Sequence, residues 1–367
     1  MKILFIAPIP PPINGQSKAS KVLLEALVEK NEVEIINLSK ESLKNGVNSI
    51  NRIFEIVRVF SEVKKRLSGK DIIYISLAES FVGNLRDIFI YALARRQLNN
   101  TYIHMLGGAG MKKILSGSGT MQKINAFFMK KLAGVIVEGP VNFEIFKKVI
   151  PVEKIHIVPN FAEDFLFVSD EEIAKKFEDT SVIKILYLSN LIPGKGYEEL
   201  AEAFIALPTA LKARIKLTFV GGFESNESQE RFVKTIEPHK GIEYLGKFID
   251  GEEKRKLYCE THVFCLPTYY PFEGQPISIL EAYATGCVVI ASNHSGIPYI
   301  FKNNVNGFLT ESRSVLSLQD ALTRMLDEQK QLVDIALNNR NTAAKQYRTK
   351  IFQDKILNIL KPNNVLA

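Results

Sequence analysis

Residues 263–291 read VFCLPTYYPFEGQPISILEAYATGCVVIA, and this stretch decides the fold. It begins with an apolar run typical of a buried strand and continues through a proline-bearing loop. A helix-forming run, a glycine and a second apolar run follow. A strand, a helix and a strand in this order predict a parallel β-α-β unit with a right-handed crossover. Pro276 suits the first helical position because the N–H that proline lacks has no helical partner there.

The same alternation of strand and helix runs through the chain in two blocks. Predicted strands of the first block lie at residues 2–7, 33–37, 71–76, 101–105, 134–138 and 154–158, with helices at 16–30, 52–66, 82–97 and 143–149. The second block has predicted strands at 183–188, 215–220, 242–245, 262–266 and 288–291, with helices at 196–207, 227–236, 252–259, 276–284, 317–326 and 345–360. The acidic, weakly patterned residues 160–181 are interpreted as the linker between the blocks.

This organisation predicts an α/β protein of two facing Rossmann-like domains with parallel sheets. We expect one domain to comprise residues 1–165 plus 345–367, and the other to comprise residues 166–344. The length of 367 residues agrees with two domains. A ligand site is expected in a cleft between them, at the carboxyl ends of the strands.

Composition excludes several classes of protein. Hydrophobic residues make up 46% and charged residues 24% of the chain, as in ordinary soluble proteins, which excludes disordered, collagen-like and coiled-coil classes. No apolar run approaches the roughly 18 residues of a membrane helix. The apolar run at residues 3–7 is cut by Pro8 and is too short for a signal peptide. The three cysteines lack C-x-x-C spacing, so we expect reduced thiols in a cytoplasmic protein.

Several motifs that mark particular enzyme classes are absent from the sequence. The sequence contains no phosphate-binding G-x-x-x-x-G-K-[ST], no G-x-G-x-x-G after the first strand and no hydrolase G-x-S-x-G. The GGAG cluster at residues 107–110 is too short for a dinucleotide fingerprint. There is no D-x-D pair, and the five histidines lack metal-ligand spacing, so we expect no metal.

Two glutamates in the quoted stretch carry the chemistry. Glu273 lies in the loop and Glu281 on the helix, with seven residues between them. The spacing alone says little, because a chain with 30 glutamates contains such pairs by chance. The context is informative, since the free N–H groups at the start of this helix can bind a phosphate or a developing anion. Glu281 is placed to accept hydrogen bonds from a ribose, and Glu273 to meet a sugar hydroxyl or a cationic transition state.

These residues resemble the E-x7-E signature of the retaining glycosyltransferases of family 4, which have the GT-B fold. Three further segments are similar to that family, so the resemblance covers almost the whole chain. They are the strand and glycine loop KILFIAPIPPPINGQSKASK at residues 2–21, the interdomain segment IVPNF at residues 157–161, and the phosphate-binding strand, loop and helix ILYLSNLIPGKGYEEL at residues 185–200.

The resemblance implies three catalytic residues. Glu273 would contact the transferred sugar, and Lys195 would bind the diphosphate, whose growing charge a fixed cation stabilises without a metal. His104, at a predicted strand end, would lie near the attacked carbon. The implied donor-binding residues are Asn190, Gly274, Gln275, Pro276, Ile277 and Glu281. The residues implied on the acceptor side or in a phosphate loop are Gly15, Gln16 and Asn160.

The chain departs from the family pattern at one charged position. The family often has an arginine shortly before the lysine, in a Gly-Arg-Leu triplet, whereas residues 189–191 here are Ser-Asn-Leu. Asn190 can donate a hydrogen bond to a phosphate but supplies no charge. The first glutamate is followed by Gly-Gln-Pro instead of the commoner Gly-Phe-Gly, which we interpret as a subfamily variant.

Charge is unevenly distributed between the two halves. Residues 1–160 contain 23 Lys and Arg against 13 Asp and Glu, a net charge of +10, whereas residues 161–367 have a net charge of −3. Residues 111–132 contain five lysines and no acid among apolar residues. This stretch is compatible with an anionic membrane surface, with the lining of an acceptor cleft, or with an ordinary solvent-facing helix. Together with the charge of the half, it favours peripheral association with the inner face of the cytoplasmic membrane.

The combined expectation is a retaining transferase. It would move a hexose or N-acetylhexosamine from a nucleotide-diphosphate sugar to a hydroxyl of a glycan acceptor, lipid-diphosphate-linked, in cell-surface polysaccharide synthesis. No cofactor or metal is expected beside the donor co-substrate, and no nucleic acid as partner. Two alternatives remain open: a nucleotide-sugar epimerase of the same fold, and a non-catalytic partner that binds a nucleotide-sugar or a glycan.

Overall fold

A computed structural model describes residues 1–11, 13–39, 49–107, 109–246 and 249–361. The chain forms two compact units, an N-terminal unit of Met1–Asn160 with Lys350–Ala367 and a C-terminal unit of Phe161–Thr349. Each unit is built on a parallel sheet of six strands in its described part. The predicted α/β architecture with parallel sheets is therefore confirmed.

The N-terminal unit has six short strands in its described part, and the inner ones are apolar because both faces of the sheet are covered there. They are β1 (Lys2–Ala7), β2 (Glu32–Asn37), β3 (Ile72–Ser76), β4 (Thr101–Met105), β5 (Gly134–Val137) and β6 (Ile155–Ile157). Their order in the sheet is β2-β1-β3-β4-β5-β6, with all neighbours parallel. All residues of β3, β4 and β5 are buried.

Helices cover this sheet on both sides. They are α1 (Gly15–Val28), α2 (Ser49–Arg66), α3 (Phe81–Leu93), α4 (Ala109–Leu115), α5 (Thr120–Met129), α6 (Pro140–Phe146) and α15 (Thr349–Ile359). Right-handed crossovers place α1 on one side and α2 to α6 on the other, because the chain moves in opposite directions along the sheet. Helix α15 packs beside α1, where the Gln353 side chain donates to the Val22 carbonyl at 2.9 Å.

The C-terminal unit repeats the plan with a second sheet. Its strands are β7 (Ile183–Leu188), β8 (Ile215–Val220), β9 (Ile242–Tyr244), β10 (Val263–Leu266), β11 (Val288–Ser292) and β12 (Gly307–Thr310), in the order β12-β11-β10-β7-β8-β9. Its helices are α7 (Asp170–Lys176), α8 (Tyr197–Ala206), α9 (Thr209–Lys212), α10 (Asn226–Ile236), α11 (Gly251–Cys259), α12 (Ile277–Ala284), α13 (Val315–Asp327) and α14 (Leu332–Gln346). Each unit has its own buried apolar cluster.

The stretch interpreted as a linker is part of the C-terminal unit. Residues 161–181 include α7, whose Ile173 is fully buried in the core of that unit. The Ala162 N–H donates to the Tyr347 carbonyl at 2.7 Å, which ties the start of the unit to its end. The unit boundaries therefore fall at 160/161 and 349/350, and not at 165/166 and 344/345.

The predicted single helix over residues 345–360 is two helices. Helix α14 ends at Gln346 and α15 begins at Thr349. The buried Tyr347 lies between them in a non-helical conformation, because its carbonyl accepts the bond from Ala162 instead of a helical one. This tertiary bond is invisible to helical periodicity. Residues 362–367 of the predicted first domain lie outside the described residues.

Among the described residues, none of the helices has the length and apolarity that crossing a bilayer requires.

Truncation of Ile173 tests whether residues 161–181 are packed structure. We expect Ile173→Ala to lower the free energy of unfolding by about 2–5 kcal/mol, because it leaves a cavity in a buried core. The exposed Lys175→Ala on the same helix is the matched control and should change stability by less than about 0.5 kcal/mol. The measurement is urea unfolding of both variants. Equal stability of the two would mean that the stretch is a linker after all.

Candidate functional site

The order of the C-terminal sheet creates a topological switch point. Strand β7 lies between β8 and β10, so the loops that follow β7 and β10 leave the sheet beside each other at its carboxyl edge. Such points form crevices in open α/β sheets because neighbouring loops diverge there. The loop after β7 carries Lys195, and the loop after β10 carries Glu273. Residues that are far apart in sequence thus meet at this edge.

Two glycines hold Lys195 in place. Gly194 and Gly196 have φ angles of +92° and +78°, in the region that favours glycine. A Cβ atom on Gly196 would lie 2.3 Å from the carbonyl oxygen of Pro267. The Tyr269 N–H donates to the Gly194 carbonyl at 2.7 Å. The loop after β7 therefore packs directly against the loop after β10 and is hydrogen-bonded to it.

Lys195 and Glu273 form an ion pair at the switch point. The Lys195 Nζ lies 2.7 Å from Glu273 Oε2, and both side chains are nearly buried. The Thr268 hydroxyl donates to the same oxygen at 3.0 Å, and the Lys195 Nζ lies 5.0 Å from the ring centroid of Tyr270. The pair fixes an ammonium group and a carboxylate within one hydrogen bond of each other. The ammonium group can bind an anion, and the carboxylate beside it can bind a cationic or hydroxyl-bearing group.

The N-terminus of α12 faces the same edge of the sheet. The helix begins at Ile277, and Pro276 occupies the preceding cap position with extended ψ, so the expectation of Pro276 at the first helical position is off by one residue. No side chain caps this helix. Gly274 and Gln275 lead into it from Glu273, and the Ser295 hydroxyl donates to the Glu273 carbonyl at 2.5 Å. The Ile279 N–H donates to the Pro276 carbonyl at 3.2 Å, and the amides of Ile277 and Ser278 before it can serve an anionic group.

Glu281 lies one turn into α12 and forms a second ion pair. Its Oε1 is 3.0 Å from the Lys254 Nζ, and the Tyr258 hydroxyl donates to its Oε2 at 3.4 Å. Both charged side chains are buried. Burial, and then the charge of Glu281, raise the pKa of Tyr258 well above its usual value, so its hydroxyl stays a donor. Glu281, which is predicted to accept hydrogen bonds from a ribose, is thus held by a lysine and a tyrosine from α11.

Lys254 is a site residue that the sequence analysis missed. Its Nζ also lies 3.1 Å from Glu163 Oε2 and 3.0 Å from Asp250 Oδ1, so one buried ammonium serves three carboxylates. A signal was present in the sequence, because Lys254 lies four residues before the buried Tyr258 on the same helix face. A lysine on the buried face of a helix needs a partner. The sequence alone does not say which carboxylate that partner is.

Asn190 follows β7 in the same loop as Lys195. Its side chain is exposed, and its backbone carbonyl accepts a bond from the Tyr187 hydroxyl at 3.4 Å. An asparagine side chain is uncharged, so this position lacks the positive charge of the arginine that the family often has. Its place at the edge of the sheet is compatible with a contact to a phosphate.

The N-terminal unit has a corresponding switch point between β1 and β3. Helix α1 begins there at the exposed Gly15, and the side chain of Asn14 caps the helix. The Gln16 amide reaches across to the end of β3 and donates to the Ser76 hydroxyl at 2.9 Å and to the Leu77 carbonyl at 3.1 Å. Gly15 and Gln16 are thus at the carboxyl edge of their own sheet. In the nearby GGAG cluster, Gly108 lies outside the described residues.

His104 is a buried residue of the N-terminal unit, and its catalytic role stays a prediction. It lies on β4 and is fully buried, with Nδ1 2.6 Å from the Tyr74 hydroxyl and the ring 6.3 Å from that of Phe352 on α15. Burial lowers the pKa of His104 to about 3. The imidazole of His104 is therefore neutral near pH 7.

Asn160 is also buried, and its place on the acceptor side or in a phosphate loop stays a prediction. Its side-chain amide donates to Glu138 Oε1 at 2.9 Å, and both residues belong to the N-terminal unit. The bond ties the end of the unit to the loop after β5.

Within the part of the chain that the structure describes, no three His, Cys, Asp or Glu side chains come close enough together to hold a metal ion.

Comparison with known families gives a match to the C-terminal unit. Residues 168–342 match the family model described as glycosyl transferases group 1. This segment contains both ion pairs described above, apart from Glu163. The family is thus supported for the unit that carries the switch-point site.

Two curated relatives are similar over about half of the chain. The amylovoran biosynthesis glycosyltransferase AmsK of Erwinia amylovora is 24% identical over 217 residues, which are 58% of this chain and 51% of that protein. The N,N'-diacetylbacillosaminyl-diphospho-undecaprenol alpha-1,3-N-acetylgalactosaminyltransferase of Campylobacter jejuni is 27% identical over 177 residues, 48% of this chain and 43% of that protein. The chain thus spans about half the length of these relatives.

Likeness to solved structures extends over nearly the whole chain. HepE of Anabaena, in complex with UDP-glucose, matches with a TM-score of 0.73 at 16% identity, over 98% of this chain and 99% of that one. At this identity the likeness establishes the fold alone, which is that of the GT-B glycosyltransferases.

Replacement of Lys254 tests its hold on Glu281. We expect Lys254→Met to lower the affinity for uridine or guanosine diphosphate, whichever the wild type binds, by about tenfold, because an unpaired buried carboxylate loses its orientation. Lys254→Arg should restore part of the affinity. The exposed Lys256→Met on the same helix is the control and should bind as the wild type does. Isothermal titration calorimetry measures all four proteins. Unchanged affinity in Lys254→Met would show that Glu281 does not need this lysine.

The burial of His104 predicts a specific pH dependence of stability. The unfolded chain binds a proton at His104 below about pH 6.5, whereas the folded protein does so only near pH 3, so acidification between these values favours unfolding. We expect the His104→Gln variant to be less stable than the wild type at neutral pH. On acidification its free energy of unfolding should fall less steeply than that of the wild type, with a difference in slope of up to about 1.4 kcal/mol per pH unit. Urea unfolding between about pH 7 and about pH 5 measures both slopes. Parallel slopes would place His104 in contact with solvent.

Proposed function

We propose that this protein is a retaining glycosyltransferase. It transfers a hexose or N-acetylhexosamine from a nucleotide-diphosphate sugar to a hydroxyl of a glycan acceptor, and it needs no metal for this step. The observation that carries the proposal is the Lys195–Glu273 ion pair beside the uncapped N-terminus of α12. The match of residues 168–342 to group 1 glycosyltransferases supports it.

The positive groups at the switch point suit a diphosphate leaving group. When the glycosidic bond breaks, its electron pair goes to the diphosphate oxygen, which gains negative charge. The Lys195 ammonium and the first-turn amides of α12 would stabilise that charge. A fixed ammonium group supplies the neutralisation that a metal ion supplies in other phosphate chemistry.

The carboxylate of Glu273 has a separate role in this scheme. The anomeric carbon becomes cationic as the bond to the leaving group lengthens, as in other glycosyl transfers. Glu273 stands beside Lys195, so it can bind a sugar hydroxyl and stabilise positive charge near the same diphosphate. The Thr268 hydroxyl keeps the carboxylate in this orientation.

Retention is proposed to proceed on one face of the sugar. The acceptor oxygen forms its bond to the anomeric carbon on the face from which the diphosphate leaves, and its proton passes to a diphosphate oxygen. His104, which is buried on β4, is predicted to lie near the attacked carbon. The diphosphate acts as the base.

Glu281 would hold the ribose of the donor. Its two carboxylate oxygens can accept hydrogen bonds from two neighbouring hydroxyls, and Lys254 and Tyr258 fix their direction. Gly274, Gln275 and Ile277 would present backbone N–H groups to the phosphates, and Asn190 would add a side-chain amide. Gly15 and Gln16 would face the acceptor or a phosphate from the N-terminal unit.

The acceptor is proposed to be lipid-diphosphate-linked, in cell-surface polysaccharide synthesis. The two relatives support this, since one is named for amylovoran biosynthesis and the other for a diphospho-undecaprenol substrate. The net charge of +10 in residues 1–160 suits an anionic acceptor and the anionic cytoplasmic face of a membrane.

Titration with a panel of nucleotide-sugars tests the proposal. In buffer with a metal chelator, we expect one donor to bind with micromolar affinity, and Glu281→Ala and Lys195→Met each to weaken it by about tenfold or more, because each removes a charged hydrogen-bonding partner. The exposed Glu260→Ala is the control and should bind normally. Calorimetry gives the affinities.

The second stage uses the donor so identified with lipid-diphosphate-linked acceptors. Nucleotide diphosphate released in step with glycosylated product supports the transferase, whereas isomerised nucleotide-sugar without an acceptor would identify an epimerase. A donor that binds but never reacts would favour the non-catalytic partner. If no donor binds the wild type, or if Glu281→Ala binds normally, the proposed site is wrong.

A further inference from the structure

Helix α3 of the N-terminal unit shows an apolar stripe to solvent. The side chains of Phe81, Val82 and Phe89 are between 57% and 61% exposed, and Leu93 near the helix end is also exposed. On a helical projection these four residues fall within about one third of the circumference. They therefore form one continuous face along the roughly 20 Å length of the helix.

The opposite face of α3 already packs against the rest of the unit. Its buried residues include Asn84, Asp87, Ile90 and Tyr91. Asn84 exchanges two amide hydrogen bonds of 2.9 Å with Asn125 of α5, and Asp87 accepts a bond from the Ala78 N–H at 2.9 Å. These bonds fix the rotation of the helix. The apolar stripe is thus the face of α3 that points to solvent in the folded unit.

The apolar surface continues onto the neighbouring helices. Phe127 of α5 is as exposed as Phe89. Ring contacts join the helices beneath this surface: Tyr91 and Phe128 lie 6.0 Å apart, and Phe60 of α2 lies 5.3 Å from Phe89. Large exposed aromatic side chains in one region of a protein usually mark a binding surface.

Positive charge surrounds these aromatic residues. Residues 80–133 contain eight Lys and Arg and a single acid, Asp87, which is buried and paired with Arg86. The Lys131 Nζ lies 3.9 Å from the ring centroid of Phe127. On α4, Lys112 and Lys113 are exposed. A partner of this surface must therefore be negatively charged and must also accept apolar side chains.

We propose that this aromatic–basic face docks on an anionic lipid bilayer. The face is defined by the exposed apolar residues Phe81, Val82, Phe89, Leu93 and Phe127 and the lysines Lys112, Lys113, Lys123, Lys130 and Lys131. The aromatic rings enter the region between headgroups and acyl chains, while the long lysine side chains reach the lipid phosphates. The inference extends the proposed function, because a lipid-linked acceptor is presented at such a surface.

Charge favours a bilayer over a second copy of the chain as the occupant. A symmetric dimer through this face would bring the same lysines against each other, and such like-charge contacts are unfavourable. An anionic bilayer offers negative charge across its whole surface and an apolar layer directly beneath it. The proposal also differs from the prediction for residues 111–132 alone, since α3 supplies four of the five apolar residues.

Vesicle binding by the full chain tests the proposal. The probe is phosphatidylcholine vesicles with or without about one third phosphatidylglycerol, followed by co-sedimentation. We expect binding only to the anionic vesicles, with a loss of about tenfold or more in Phe81→Ser/Phe89→Ser and in Lys112→Glu/Lys113→Glu. Both pairs replace exposed side chains, so both variants should fold and should bind nucleotide-sugar as the wild type does.

Matched controls come from the same protein. Leu316→Ser removes an exposed apolar residue of the C-terminal unit, and Lys21→Glu/Lys30→Glu reverses two exposed charges near α1. Both should retain vesicle binding. Failure of the wild type to bind anionic vesicles, or equal losses in the control variants, would overturn the inference. Sedimentation velocity that shows a wild-type dimer, lost in Phe81→Ser/Phe89→Ser, would also overturn it in favour of self-association. Donor binding tests the proposed function separately.

Discussion

The arrangement of the C-terminal site depends on one constraint, the strand order around β7. Because β7 pairs with β8 on one side and β10 on the other, the loops that follow β7 and β10 meet at the carboxyl edge. The meeting produces the Lys195–Glu273 pair, and the two glycines around Lys195 allow the loops to touch. The same edge carries the N-terminus of α12, so positive groups from a side chain and from backbone amides share one location.

A second ion pair extends this site into the interior of the unit. Glu281 and Lys254 are both buried, and the desolvation of each charge is offset by the other and by further carboxylates on the lysine. Such a pair contributes little net stability, but it holds the carboxylate in one orientation. The two lysines therefore have different proposed roles: Lys195 would contact the leaving group, whereas Lys254 would position a residue that binds the nucleoside.

The two units divide the work that we propose. The C-terminal unit carries the paired glutamates and lysines, and it is the unit that matches group 1 glycosyltransferases. The N-terminal unit offers the exposed start of α1 at its own switch point and a basic, aromatic surface on α3 to α5. A transferase for lipid-linked glycans needs both a donor pocket and access to a bilayer.

The sequence by itself determined the alternation of strands and helices, the two parallel sheets and the placement of Glu273, Lys195 and Glu281, since periodicity and short motifs are local properties. Only the tertiary structure decided the partners of these residues. Lys254 reaches Glu281 across 27 positions of sequence, and His104 is enclosed by Tyr74 and by Phe352 from the far end of the chain. The stretch interpreted as a linker packs because Ala162 pairs with Tyr347. Burial and long-range hydrogen bonds depend on how distant segments meet, which composition and spacing do not encode.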